Sequence, residues 1–135
     1  MKKTLILILS ILFISTTSIY NSYGKQFWYK PFKIIAYNHP ISDENKIFEG
    51  STNDVICIDM DKQYVAVYNG NSENKFIMLW MESNGNQRVD IFTNDEQKNN
   101  VCVTVSKVND NTNGYIITFS YPKSILVYFT VPMKH

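Results

Sequence analysis

The cysteines and histidines are the most reactive side chains of this 135-residue chain, which has two of each. Cys57 and Cys102 could form a disulfide, and either thiol could act as a nucleophile if a nearby base removed its proton. Only His39 and the C-terminal His135 could be a histidine base. His39 lies in a polar stretch that predicts a loop, and a single histidine in a loop is usually solvated. We therefore expect no cysteine-based catalysis.

Carboxylates support acid–base or metal chemistry only where several of them converge. Glu82 and Asp90 flank the turn Asn84-Gly85, at an exposed hairpin tip and not across a cleft. Asp59 and Asp61 lie at a strand end, without the twelve-residue ligand loop of a calcium site. A phosphate-binding glycine loop is also missing from the sequence. We expect a protein that is not an enzyme, has no metal site and needs no cofactor.

The first 24 residues have the pattern of a secretory signal peptide. Lys2 and Lys3 precede an apolar run over residues 5–14, and small or polar residues follow as far as Gly24. The run is short for a permanent membrane helix, which needs about 20 apolar residues. We predict cleavage near Gly24, export to the periplasm or the medium, no stable membrane anchor after cleavage, and a single domain over residues 25–135.

Removal of the leader leaves 11 basic and 12 acidic residues, a net charge of −1. Such a chain has no general attraction for polyanions, and an exported destination makes a nucleic-acid partner unexpected. The stretch from Lys25 to Lys33 interleaves aromatic rings with lysines, and its rings could stack on sugars or bases. We expect instead that Phe27, Trp28 and Phe32 pack onto an open face or an end of the fold.

Runs rich in Val, Ile, Tyr and Phe, separated by clusters of Asn, Asp, Gly and Ser, predict an all-β domain. The predicted strands cover residues 31–37, 54–60, 63–68, 75–82, 87–93, 100–107, 114–121 and 124–131, with Lys46-Ile47-Phe48 as a further short candidate. Asn-Gly pairs at 69–70, 84–85 and 113–114 predict tight hairpin turns. Connections this short require antiparallel neighbours. We expect a single antiparallel meander of about eight strands, curled into a small barrel or a strongly twisted half-barrel.

Alternation of side chains along these strands predicts which residues form the core. The predicted core residues are Ile56, Ile58, Met60, Val65, Val67, Val101, Val103, Val105, Tyr115, Ile117, Phe119, Ile125, Val127, Phe129 and Val131. The opposite face, which carries Cys57 and Asp59, is expected to meet water. Two segments, 76–81 and 125–129, are apolar on both faces. Closure of a barrel or a packed N-terminal segment would cover the second face; otherwise it contacts a subunit or a ligand.

Both cysteines are expected to reach a compartment that permits disulfides. The sequence leaves a bridge and two unpaired thiols as open alternatives. Cys57 and Cys102 fall on the second and sixth predicted strands, which lie on opposite sides of an eight-stranded barrel. A bridge would therefore indicate a flattened or sandwich-like sheet.

Three segments carry a resemblance to known proteins: Ile56-Cys57-Ile58-Asp59 before Tyr64 to Tyr68, Cys102-Val103-Thr104-Val105, and Tyr115-Ile116-Ile117 followed by Val127-Tyr128. From Val55 to Val131 the chain resembles a loose group of short exported bacterial proteins with β-meander cores and uncharacterised function. The resemblance implies an exported β-meander and no catalytic residues. The strand before Cys102 lacks the second cysteine that members of the group tend to carry.

We therefore predict an exported, non-catalytic binding module. The candidate site is an apolar surface at a barrel mouth or on a concave face, suited to a small apolar ligand. Its residues are Phe76, Met78, Trp80 and Tyr128, with Trp28 closing it off. The alternative is a structural or protein-interaction module of the cell envelope, whose doubly apolar strands contact another subunit, for example in a homodimer. A ligand-sized cavity lined by Trp80 and Met78 would favour the first hypothesis, and filled space would favour the second.

Overall fold

The computed structural model describes residues 26–85, 87–108 and 113–133. The predicted signal peptide and His135 lie outside the described residues. The strands are β1 (Gln26–Asn38), β2 (Lys46–Gly50), β3 (Val55–Asp59), β4 (Tyr64–Asn69), β5 (Ser72–Ser83), β6 (Arg88–Asn94), β7 (Asn100–Lys107), β8 (Tyr115–Ser120) and β9 (Ser124–Pro132), with one 3-10 turn at Asp43–Asn45. In this part of the chain no helix is long and apolar enough to cross a membrane.

The strands form one antiparallel sheet that closes into an eight-stranded barrel. From β3 to β9 each strand pairs with the next one along the chain. β1 pairs with β3 through its first residues and with β9 through the rest of its length, which closes the barrel. β2 pairs with the last part of β1 as a ninth strand. The predicted antiparallel meander is confirmed, and the choice between barrel and half-barrel is resolved as a closed barrel.

Two of the predicted Asn-Gly turns have the backbone geometry that favours glycine. Gly70 and Gly85 adopt φ angles of 58° and 88°, in the left-handed region that side chains disfavour. Gly70 joins β4 to β5, and Gly85 joins β5 to β6. These turns set the register in which the long strand β5 pairs with both of its neighbours.

Side chains fill the barrel interior. Phe119 contacts Phe76 at a ring separation of 5.0 Å and Tyr128 at 5.6 Å, and Tyr29 meets Tyr115 edge-on at 5.4 Å. The predicted core residues of β3, β4, β7 and β8, together with Met60, all belong to this buried cluster. Phe27, at the start of β1, also packs inside the cluster, whereas Phe32 is exposed.

The predicted core face of β9 is wrong. Tyr128 and Thr130 point into the barrel, because they pair directly with the inward residues Ile117 and Tyr115 of β8. The residues predicted for the core, Ile125, Val127, Phe129 and Val131, therefore lie on the outer face. Ile125 and Val127 are nevertheless only 4% and 9% exposed, beside the side chains of β1 that pair with them.

The outer face of β3 also differs from expectation, because Cys57 and Asp59 are buried and not hydrated. Trp28 pairs directly with Cys57, and its ring stacks on Tyr68 at 5.7 Å. The carboxylate of Asp59 accepts hydrogen bonds from the Gln26 side chain and from the backbone N–H of Lys62. An aromatic and hydrogen-bonded layer thus covers this part of the barrel wall.

Candidate functional site

A β-bulge in β5 places two large apolar side chains on the outer surface. Met78 pairs with Thr93 and Trp80 pairs with Phe92, so Leu79 is an extra residue in β5. Because a bulge shifts the alternation by one residue, Leu79 and Trp80 both face outward. They are 48% and 46% exposed, while Met78 and the following Met81 are buried in the core.

Trp80 begins a row of side chains that crosses the outer surface. Its ring stacks on Phe92 of β6, with 4.6 Å between ring centroids and 17° between ring planes. Phe92 pairs with Cys102 of β7, and Cys102 pairs with Ser120 of β8. Side chains that pair directly across an antiparallel sheet share one face. The row therefore changes from two large rings to two small side chains.

A groove of about 470 Å³ follows this row. Its lining residues are His39, Leu79, Trp80, Phe92, Thr93, Asn100, Val101, Cys102, Ser120, Tyr121 and Pro122. None of these is Asp, Glu, Lys or Arg. Cavities of roughly 300–1,000 Å³ with aromatic lining and a few polar groups are typical of ligand sites.

The thiol in the groove is in its neutral form at physiological pH. Burial raises the pKa of Cys102, and a contact of 3.9 Å between its Sγ and the Thr104 hydroxyl opposes that effect only in part. A thiol with a raised pKa is a poor nucleophile because little thiolate is present. The groove surface at Cys102 is therefore uncharged.

His39 lines the same groove as Cys102, which the sequence did not indicate. Its backbone N–H donates to the carbonyl of Lys123 at 3.2 Å. Within the described ranges no hydrogen bond joins the imidazole to a cysteine or a carboxylate. The pair therefore lacks the base-to-thiol contact that nucleophilic catalysis requires.

The five predicted ligand residues do not form one site. Phe76, Met78 and Tyr128 are buried in the barrel core. Trp80 lines the outer groove, on the other side of the barrel wall from Met78. Trp28 packs on Tyr68 over β3 and β4, away from the groove. The prediction of one shared apolar face fails because the bulge separates Met78 from Trp80.

Tyr128 has a structural role inside the barrel. Its hydroxyl donates to the Oδ2 atom of the buried Asp54 at 2.8 Å, and the Asn69 side chain donates to Oδ1 at 2.6 Å. Burial, followed by the hydrogen bond to Asp54, raises the pKa of Tyr128. The network connects β9 with the loop before β3 and the end of β4.

The two cysteines are unpaired and lie far apart. Cys57 is on β3 and Cys102 is on β7, four strands apart around an eight-stranded barrel. The alternative with a Cys57–Cys102 disulfide is therefore wrong for this fold. Burial, with a smaller contribution from the charge of Asp59, raises the pKa of Cys57 to about 12.

A second depression, of about 240 Å³, is polar and lies beside the turn between β6 and β7. Lys75 and Asp95 both line it, so its surface carries mixed charge. The Asp95 carboxylate already accepts hydrogen bonds from Gln97 and Asn99 within the turn. Among the described residues no group of three or more His, Cys, Asp or Glu side chains could hold a metal ion.

Sequence reasoning missed most of the groove. Leu79, Phe92 and Tyr121 were not singled out, and the row through Ser120 depends on strand pairing that the sequence does not reveal. The available signal was the run Phe76 to Met81, in which both faces are apolar.

Comparison with known protein families, with curated proteins and with solved structures finds no match to this chain.

Proposed function

We propose that this protein is an exported, non-catalytic binding module that holds an apolar group of its ligand in the outer groove. The observation that carries the proposal is the groove itself, a space of about 470 Å³ that has Trp80, Phe92 and Leu79 along its lining and no Asp, Glu, Lys or Arg. The export part of this proposal rests on the signal-peptide pattern of residues 1–24.

Exposure of two large apolar residues beside a groove supports a binding role. Full burial of one such side chain stabilises a protein by about 1.5–3 kcal/mol. Leu79 and Trp80 forgo about half of that burial because the bulge turns both outward. Contiguous apolar surface of this kind marks ligand or protein contacts in many soluble proteins.

The interior offers less support for a ligand. Phe76, Phe119 and Tyr128 occupy the space in which a small barrel would carry cargo. Met78 belongs to that packed cluster and does not line the groove. The site that we propose is therefore the groove beside Trp80 and Phe92, and not the filled interior of the barrel.

Titration of the purified mature protein with the uncharged dye Nile Red tests this proposal. We expect saturable fluorescence enhancement with one site per chain. Replacement of the exposed groove residues, Leu79→Ser with Trp80→Ser, should weaken the apparent Kd at least about tenfold. Phe32→Ser is the matched control, since Phe32 is also exposed but lies on β1 outside the groove lining. Equal dye binding by all three proteins, or none by the wild type, would refute the proposal.

A protein-interaction module is the second candidate, and one observation favours it. Ile77, Leu79 and Trp80 are all about half exposed on the same strand, so β5 presents an apolar surface longer than the groove. β9, the other strand that is apolar on both faces, exposes less apolar surface, because Ile125 and Val127 are already buried within the chain. A dimer in native mass spectrometry that Ile77→Ser dissociates would support this candidate.

A further inference from the structure

We infer that the groove selects a neutral, planar aromatic group, which continues the Trp80–Phe92 stack over Cys102 and Ser120. The inference rests on the proposed function and adds the chemical class of the ligand.

The spacing of the row supports this class. Adjacent strands lie about 4.7–4.9 Å apart, so side chains in one row repeat at that distance. The ring centroids of Trp80 and Phe92 are 4.6 Å apart, which matches this spacing. The same separation falls in the range of about 4.5–7 Å that aromatic pairs prefer. A third ring at the next position of the row would lie over Cys102.

The residues at the next two positions leave room for that ring. Cys102 and Ser120 are small, and the groove follows the row where they stand. A planar group there would have Phe92 on one side and a thiol below it, and sulfur–aromatic contacts are favourable. The row therefore provides two stacked rings from the protein. One strand spacing further along, it leaves an open position that a third ring could fill.

The polarity of the lining supports a neutral ligand with a hydrogen-bonding group. The groove contains no acidic side chain and no lysine or arginine to balance a charge on a ligand. An ionic group placed there would lose hydration without a carboxylate, lysine or arginine as its partner, at considerable cost. His39 and Asn100 line the groove and supply polar atoms to which a carbonyl or hydroxyl of the ligand could bind.

Two probes of the same skeleton test the inference. Coumarin is a neutral, planar bicycle with a carbonyl group, and octahydrocoumarin is its saturated, non-planar counterpart. Calorimetric titration of the mature protein should give coumarin a Kd about three- to tenfold lower, since stacking adds to burial. The Phe92→Leu variant keeps the apolar bulk and should reduce this preference to about one. Phe48→Leu, which replaces an exposed ring on β2, should keep the preference.

The Cys102→Phe variant provides an independent readout because its own ring would occupy the proposed ligand position. It should lose coumarin binding while its thermal unfolding stays cooperative. Equal affinity for coumarin and octahydrocoumarin, an unchanged preference in Phe92→Leu, or retained coumarin binding in Cys102→Phe would overturn the inference. If Nile Red still binds at the groove in that case, the proposed function stands without its aromatic preference. If the dye also fails to bind, both the proposed function and the aromatic preference are refuted.

Discussion

The hydroxyl of Tyr128 and the carboxylate of Asp54 form a buried hydrogen bond of 2.8 Å between β9 and the loop that precedes β3. These residues are 74 positions apart in the chain, so the bond connects the last strand with the region where β1 and β3 pair. The bond therefore helps to stabilise the side of the barrel where β1 pairs with both β3 and β9.

Replacement of Tyr128 by Phe should destabilise the protein by about 1–3 kcal/mol, because the buried Asp54 carboxylate loses a donor. Urea unfolding of both proteins measures the difference. Tyr37→Phe is the control, since the Tyr37 hydroxyl makes no hydrogen bond within the described part of the chain, and it should change stability by less than about 0.5 kcal/mol. Equal effects of the two substitutions would contradict the role assigned to this bond.

Thiol labelling should separate the two cysteines. Cys57 is fully buried and its pKa is raised to about 12, so it should resist a maleimide reagent at pH 7.5 in the folded protein. Cys102 is half-buried in the groove and should react slowly, with one label per chain. In denaturant both should react without prior reduction. A protein with no titratable thiol in denaturant would show a disulfide and contradict the barrel.

The raised pKa of Cys57 predicts a loss of stability at alkaline pH. The folded protein keeps the thiol proton between pH 9 and about 12, whereas the unfolded chain releases it above about pH 9. Stabilisation from this group is therefore complete below pH 9 and declines as pH rises, by at most about 1.4 kcal/mol per pH unit. Cys57→Ala should abolish this component, so the stability difference between wild type and variant should shrink from pH 8 to pH 10.5. A constant difference would refute this prediction.

Deletion of Leu79 tests the bulge. The shortened strand would read Met78-Trp80-Met81, with regular alternation of inward and outward side chains, so the barrel should fold with a stability within about 1 kcal/mol of the wild type. Nile Red binding should weaken because the groove loses part of its lining. Deletion of Thr104, which lies between the inward Val103 and Val105 of the regular strand β7, should unfold the protein. A similar loss of stability in both deletion variants would show that Leu79 is not an extra residue.

The sequence predicts the local parts of this fold well. Period-two alternation identifies the inward residues of β3, β4, β7 and β8, and Asn-Gly pairs identify the turns at Gly70 and Gly85. These features depend only on neighbouring residues. Pairing of β1 with β9 depends on contacts across almost the whole domain, and no short pattern encodes it.

Alternation fails where both faces are apolar or where a bulge interrupts it. In β9 every position from Ile125 to Phe129 is apolar, so the pattern cannot indicate that Tyr128 points inward. In β5 the extra residue Leu79 moves Trp80 to the outside, although Trp80 has the same parity as the inward Met78. The groove was missed for this reason, since strand register decides which side chains meet there.

The two tryptophans of the chain allow the binding site to be located in one measurement. Trp80 lines the groove, and Trp28 packs against Tyr68 outside it, so each indole N–H signal in a nitrogen–proton correlation spectrum reports on one region. Coumarin and octahydrocoumarin are added in turn to the nitrogen-15-labelled protein. We expect a saturable shift of the Trp80 signal and no shift of the Trp28 signal. A Trp80 signal that stays in place with both compounds, or a shift confined to Trp28, would contradict binding in the groove.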